Sequence, residues 1–108
     1  MTDTDLNKYF WLAKEIEAIE KELTVIHSND DYEKERKRLL GKKIKEASKE
    51  LLKIEEFLDG LDDPEIRLIF RLRYCLRMTW EDIGNEVFMS PPGALRKCRR
   101  FLRKLSYV

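Results

Sequence analysis

Apolar positions in the first 61 residues fall into two seven-residue rhythms. Tyr9, Leu12, Ile16, Ile19, Leu23 and Ile26 are spaced 3-4-3-4-3, and Leu40, Ile44, Ala47, Leu51, Ile54, Leu58 and Leu61 are spaced 4-3-4-3-4-3. Charged side chains fill many of the positions between. Such seams predict two helices, over roughly residues 5–27 and 32–59, each more than about 30 Å long. Asp3 or Thr4 is expected to cap the first. The polar run His27-Ser28-Asn29-Asp30-Asp31 reads as a turn, and a short turn between two seamed helices predicts an antiparallel hairpin. Gly41 falls inside the second helix, weakening it by about 1 kcal/mol relative to alanine without breaking it. Tyr9, Phe10 and Trp11 cannot all face one seam, so Phe10 or Trp11 should stay outside it. The surplus apolar surface would then pack on the rest of the chain or on a second copy. No alternating strand pattern competes, so the predicted class is all-α.

The segment Asp59-Gly60-Leu61-Asp62-Asp63-Pro64 marks a boundary between a hairpin (1–61) and a second unit (62–108). Gly60 can take the left-handed conformation that ends a helix, Asp63 can cap the next, and Pro64 suits its first turn. A third helix over roughly 64–76 should bury Ile66, Ile69, Phe70 and Tyr74. Thr79, with Asp82 three residues on, starts a short helix over Trp80, Ile83 and Val87. Val87-Phe88-Met89 turns the chain. Ser90 then caps a last helix (90–106), with Pro91 at its first position, where a missing N–H costs nothing.

On that last helix, at about 100° per residue, Ala94, Cys98, Phe101 and Leu105 cluster within about 60° of one another, opposite Arg96. Lys97, Arg99, Arg100, Arg103 and Lys104 all lie within about 100° of Arg96. One face is core and the other is wholly basic. A net charge of +1 conceals this asymmetry: residues 1–61 carry 12 basic and 15 acidic side chains, residues 62–108 carry 10 and 6, and none of those six lies beyond Ser90. A basic face of this kind suits phosphate attraction, and arginine offers bidentate contacts to guanine.

Little else in the chain suggests chemistry. Cys75 and Cys98 lie within apolar patterns with no CxxC pair, and the lone histidine, His27, sits at a turn. Neither a zinc site nor a disulfide framework is implied, and two thiols in a reducing compartment are expected. The acidic pairs Glu55-Glu56 and Asp62-Asp63 read as a solvated helix face and a helix cap rather than acid–base groups. No nucleophile–base set, phosphate loop or cofactor motif is present, which argues against an enzyme and against a bound cofactor. No apolar run is long enough for a membrane span and no signal sequence is evident, so a cytoplasmic protein without membrane association is expected.

The C-terminal residues resemble a known family. Leu72-Arg73-Tyr74, Thr79-Trp80-Glu81-Asp82-Ile83-Gly84, Ser90 and Leu102-Arg103-Lys104-Leu105 are similar, in type and spacing, to the last promoter-binding domain of primary sigma factors. That match covers about residues 62–106. A helical hairpin placed before such a domain resembles, in layout only, the small sigma-like helix-turn-helix regulators of Gram-positive phages and prophages. The resemblance implies that the first short helix, beginning at Thr79, braces the DNA backbone while helix 90–106 enters the major groove, which admits one helix. Gly84 would lie where the two helices approach closely.

On this reading Arg96 and Arg100 come nearest the bases, Arg103 and Lys104 meet phosphates, and Lys97 and Arg99 flank the arc. The family's Arg-Glu-Arg after the cap is replaced by Pro91-Pro92-Gly93, which have nothing to donate. Readout therefore either begins a turn later or rests mostly on the backbone. The implied partner is double-stranded DNA, with RNA polymerase a second partner. The seams leave open a homodimer through the hairpin. Three functions fit: a DNA-binding transcriptional regulator first, then a small terminase-like packaging adaptor, then a sigma-domain mimic that binds polymerase or another regulator.

Overall fold

The structure is a computed structural model that describes residues 1–27 and 30–106. It is all-helical, with no strand among the described residues. The first helix, α1, spans Asp3–Thr24 and the second, α2, Asp31–Asp59. Their caps differ from the sequence expectation. Neither Asp3 nor Thr4 caps α1. Thr2 does: its hydroxyl accepts the Asp5 N–H at 3.1 Å while the Asp5 carboxylate accepts the Thr2 N–H at 3.0 Å. Two otherwise unpaired donors are thereby satisfied together. Asp3 is engaged elsewhere, accepting a hydrogen bond from the Tyr74 hydroxyl. Asp30 caps α2 by accepting the Glu33 N–H at 2.8 Å. Of the predicted turn, Ser28 and Asn29 lie outside the described residues.

Both seams face inward. Ile19, Ile26, Leu40, Ala47, Ile54, Leu58 and Leu61 are buried, and Tyr9, Leu12, Ile16, Leu23, Ile44 and Leu51 are half-buried. The two helices run antiparallel. Near one end Tyr9 of α1 donates to Glu55 of α2, and near the other Ile19 and Ile26 cluster with Leu40. As expected for the surplus aromatics, Trp11 stays outside and is 62% exposed. Phe10 meets it edge-on, and the Arg77 guanidinium lies over both rings.

The α2 terminus corrects another expectation. Gly60 is right-handed (φ −81°, ψ −3°), so the helix ends without a left-handed glycine. Asp63 then caps the third helix, α3 (Pro64–Phe70), accepting the N–H groups of Glu65 and Ile66. The predicted continuation to residue 76 is not α-helical throughout. Arg71–Cys75 form a π-helical turn, with the Leu76 N–H reaching the Arg71 carbonyl at 3.2 Å. A wide turn of this kind inserts one residue into the helical ladder and re-aims the side chains beyond it. Within this turn, Tyr74 is buried, with its hydroxyl between Asp3 of α1 and Cys98 near the chain's end.

The fourth helix, α4, spans Trp80–Val87, and the fifth, α5, Pro91–Ser106. Thr79 accepts the Asp82 N–H at 3.2 Å, and the Ser90 hydroxyl accepts the Gly93 N–H at 3.1 Å. Both expected caps are present. Between the helices Phe88 adopts φ 58°, ψ 41°, the left-handed region, at a cost of roughly 1–2 kcal/mol for a residue with a Cβ. Gly84 explains how the turn closes. A Cβ there would lie 2.5 Å from the Met89 carbonyl oxygen and 3.3 Å from the Pro91 nitrogen. The close approach expected at Gly84 is therefore to the turn and the first residue of α5.

One buried cluster unites both ends of the chain. Leu6 of α1 and Ile54, Leu58 and Leu61 from α2 and its end join Ile66, Ile69, Phe70, Tyr74, Ile83, Ala94 and Cys98. Leu6 is fully buried yet lies outside the predicted seam, whose rhythm extrapolates back to Asp5.

Candidate nucleic-acid interface

Helix α5 divides as its sequence predicts. Ala94 and Cys98 are buried and Phe101 and Leu105 half-buried, while Arg96, Arg99, Arg100, Arg103 and Lys104 line the opposite side. These five cations form a continuous arc on the outward face. Two grooves flank it. One, of about 610 Å³, runs between α5, α4 and the start of α1, with Arg99, Arg103 and Arg73 along it. The other, of about 510 Å³, lies on the α3 side and is bordered by Arg96, Arg100 and Lys104. Among the described residues none of the five cations has an ion pair.

Lys97 borders the same groove as Arg96, Arg100 and Lys104, but unlike them it is paired. It is half-buried, with Nζ 2.5 Å from Glu65 Oε1 and 3.6 Å from Asp63 Oδ2. The hydrogen bond to Glu65 holds its ammonium above the usual lysine range, and the Asp63 carboxylate adds to the effect. Its charge is spent on tying α5 to the start of α3. The structure thus brings Arg96, Arg99, Arg100, Arg103 and Lys104 together and assigns Lys97 to an internal contact. Thr79 uses its oxygen as the α4 cap.

Arg73 was not legible as part of this surface. Its guanidinium lies 4.8 Å from the Trp80 ring centroid and donates to the Met78 carbonyl at 2.9 Å, beside Arg99 and Arg103. Trp80 is half-buried under it and packs against the main buried cluster. The Leu72-Arg73-Tyr74 motif marks Arg73 but not its direction, which the π-turn decides.

Glu55, Tyr74, Cys75 and Cys98 sit in contacts within the fold. Glu55 accepts two hydrogen bonds from Arg71, at 2.9 and 3.3 Å, and one from Tyr9 at 2.5 Å. Arg71 first and Tyr9 second hold its carboxyl below the usual range. Burial pushes the Tyr74 phenol up, and its hydrogen bond to Asp3 acts in the same direction. Burial likewise raises both thiols, Cys75 and Cys98, which are free. Among the described residues no group of three His, Cys, Asp or Glu side chains gathers to hold a metal ion, and no helix is long and apolar enough to cross a membrane.

Comparison with known protein families, with curated proteins and with solved structures gives no match. The reading of function rests on the chain's own residues.

Proposed function

We propose that the chain is a DNA-binding transcriptional regulator of the sigma-like phage or prophage type that acts in the cytoplasm and lays α5 in the major groove. The observation that carries this reading is the arc of five outward-facing cations on α5 with no acidic neighbour on the helix. An ordinary solvated helix face mixes both signs. A face of one sign, opposite a packed apolar face, matches a polyanion. The cap at Thr79, the close approach at Gly84 and the cap at Ser90 support the helix-turn-helix geometry that the reading needs.

Within the arc, Arg96 and Arg100 lie one turn apart near its centre and are placed to meet bases. Arg99, Arg103 and Lys104 lie toward its edges or its far end and meet phosphates. Pro91, Pro92 and Gly93 bring no donor side chains, so the start of α5 approaches the backbone through its N–H groups and positive dipole end. The test is selection of bound fragments from random duplex DNA, and then alanine variants. A consensus should emerge. Arg96→Ala should erode preference for it, by about 1–3 kcal/mol if a bidentate guanine contact is lost. Arg103→Ala should weaken preferred and random DNA alike. Retention without a consensus would favour a packaging adaptor, and no retention would favour a mimic that binds protein.

A further inference from the structure

Phe88 carries two costs at once. It holds a left-handed backbone that a bulky side chain rarely adopts, and its side chain is 95% exposed. Glycine would relieve the first and a polar residue the second, so among the described residues nothing packed on the ring accounts for phenylalanine at this turn. Its surroundings indicate what covers it. Phe88 precedes the Ser90 cap by two residues, and Pro91 and Pro92, both exposed, come directly after the cap. Three exposed apolar residues therefore lie at or just before the end of α5 that precedes the cationic arc. The partner that matches both is one with dense negative charge and an apolar group within the same groove. In the major groove of a duplex that group is the thymine C5-methyl, which phenylalanine can contact.

Resting on the proposed DNA-binding function, the geometry points to Phe88 as an apolar contact to thymine methyl groups, made when α5 docks. Phe88 then supplies sequence choice at the end of the helix where Pro91, Pro92 and Gly93 supply none. The strained backbone is retained because it aims the ring outward.

The experiment compares binding of the parent and of Phe88→Gly to an alternating adenine–thymine duplex and to the same duplex with uracil for thymine. It is run over a salt series, with melting temperature measured on both proteins. The parent should bind the thymine duplex several-fold more tightly than the uracil duplex. Phe88→Gly should bind both alike, near the parent's level on uracil, and keep the parent's salt slope because no charge is lost. It should also melt a few degrees higher, since the left-handed strain is relieved. Phe88→Asn, which tolerates the same backbone, should lose the thymine preference too. An unchanged thymine preference in both variants overturns the inference and assigns the exposed apolar residues to a protein partner. Weaker binding with a lower melting temperature in both makes Phe88 structural and also overturns it. A parent that binds neither duplex removes the DNA reading itself, which is a distinct result.

Discussion

Gly41 and Gly84 both sit inside helices and respond in opposite ways to a methyl group. Nothing lies within 4 Å of a Cβ built at Gly41, whereas one at Gly84 meets the Met89 carbonyl at 2.5 Å. Gly41→Ala should therefore stabilise the fold by about 1 kcal/mol through helix propensity alone. Gly84→Ala should cost about 1–3 kcal/mol, because backbone must move to admit it. Paired denaturant melts read both, and equal shifts would contradict the packing described at the turn. At this scale much could be read in advance. Asp63, Thr79 and Ser90 were identifiable as caps because a short polar side chain before an apolar period has one efficient use. Thr2 was not, since Asp3 and Thr4 are equally good caps in isolation and it is the bonds from Tyr74 and Asn7 that engage Asp3 elsewhere. Gly60 misled for a related reason: glycine permits a left-handed end without requiring one.

The five helices were legible as elements, and α5 almost residue by residue, because its two faces differ in every position. The π-turn was not. Arg71–Cys75 would serve an α-helix equally well, and the wide turn is selected by tertiary demands on Tyr74 and Arg71. Arg71 joins the π-turn to α2 through Glu55, which also accepts from Tyr9 of α1. Because the folded Glu55 carboxyl lies below its ordinary value near 4.5, the link contributes fully above that pH and is lost as pH falls through the folded value. Glu55→Gln should flatten this part of the acid dependence of stability, and an unchanged acid profile would contradict the link. Lys97 belongs to α5 yet departs from its pattern, since a helical wheel shows a direction but not the Glu65 and Asp63 carboxylates waiting at the start and cap of α3. Lys97→Ala should lower stability by about 0–1 kcal/mol, as half-exposed ion pairs do, and leave the salt slope of DNA binding nearly unchanged. A slope reduced as much as by Arg103→Ala would return Lys97 to the interface.

At the scale of the whole molecule, α1 and α2 share one buried cluster with the C-terminal helices, and Leu6 of α1 belongs to it together with Tyr74 and Cys98. The two seamed helices were evident from their rhythm, but their union with the rest was not, because Leu6 lies outside that rhythm and its partners are about 50 to 90 residues away. Leu6→Ala should cost about 2–5 kcal/mol and lower a single unfolding transition common to both parts. Two separate transitions in the parent would mean that the parts fold independently. The same packing braces α5 from behind, so its cations project as a group from a fixed surface. That surface is central to the proposed function, and its charge is directly measurable. The parent protein is titrated with random-sequence duplex DNA over a series of salt concentrations. If Arg96, Arg99, Arg100, Arg103 and Lys104 face the duplex, log affinity should fall against log salt with a slope between about −3 and −5, near 0.9 per phosphate neutralised. No binding at low salt, or a slope indistinguishable from zero, would contradict it.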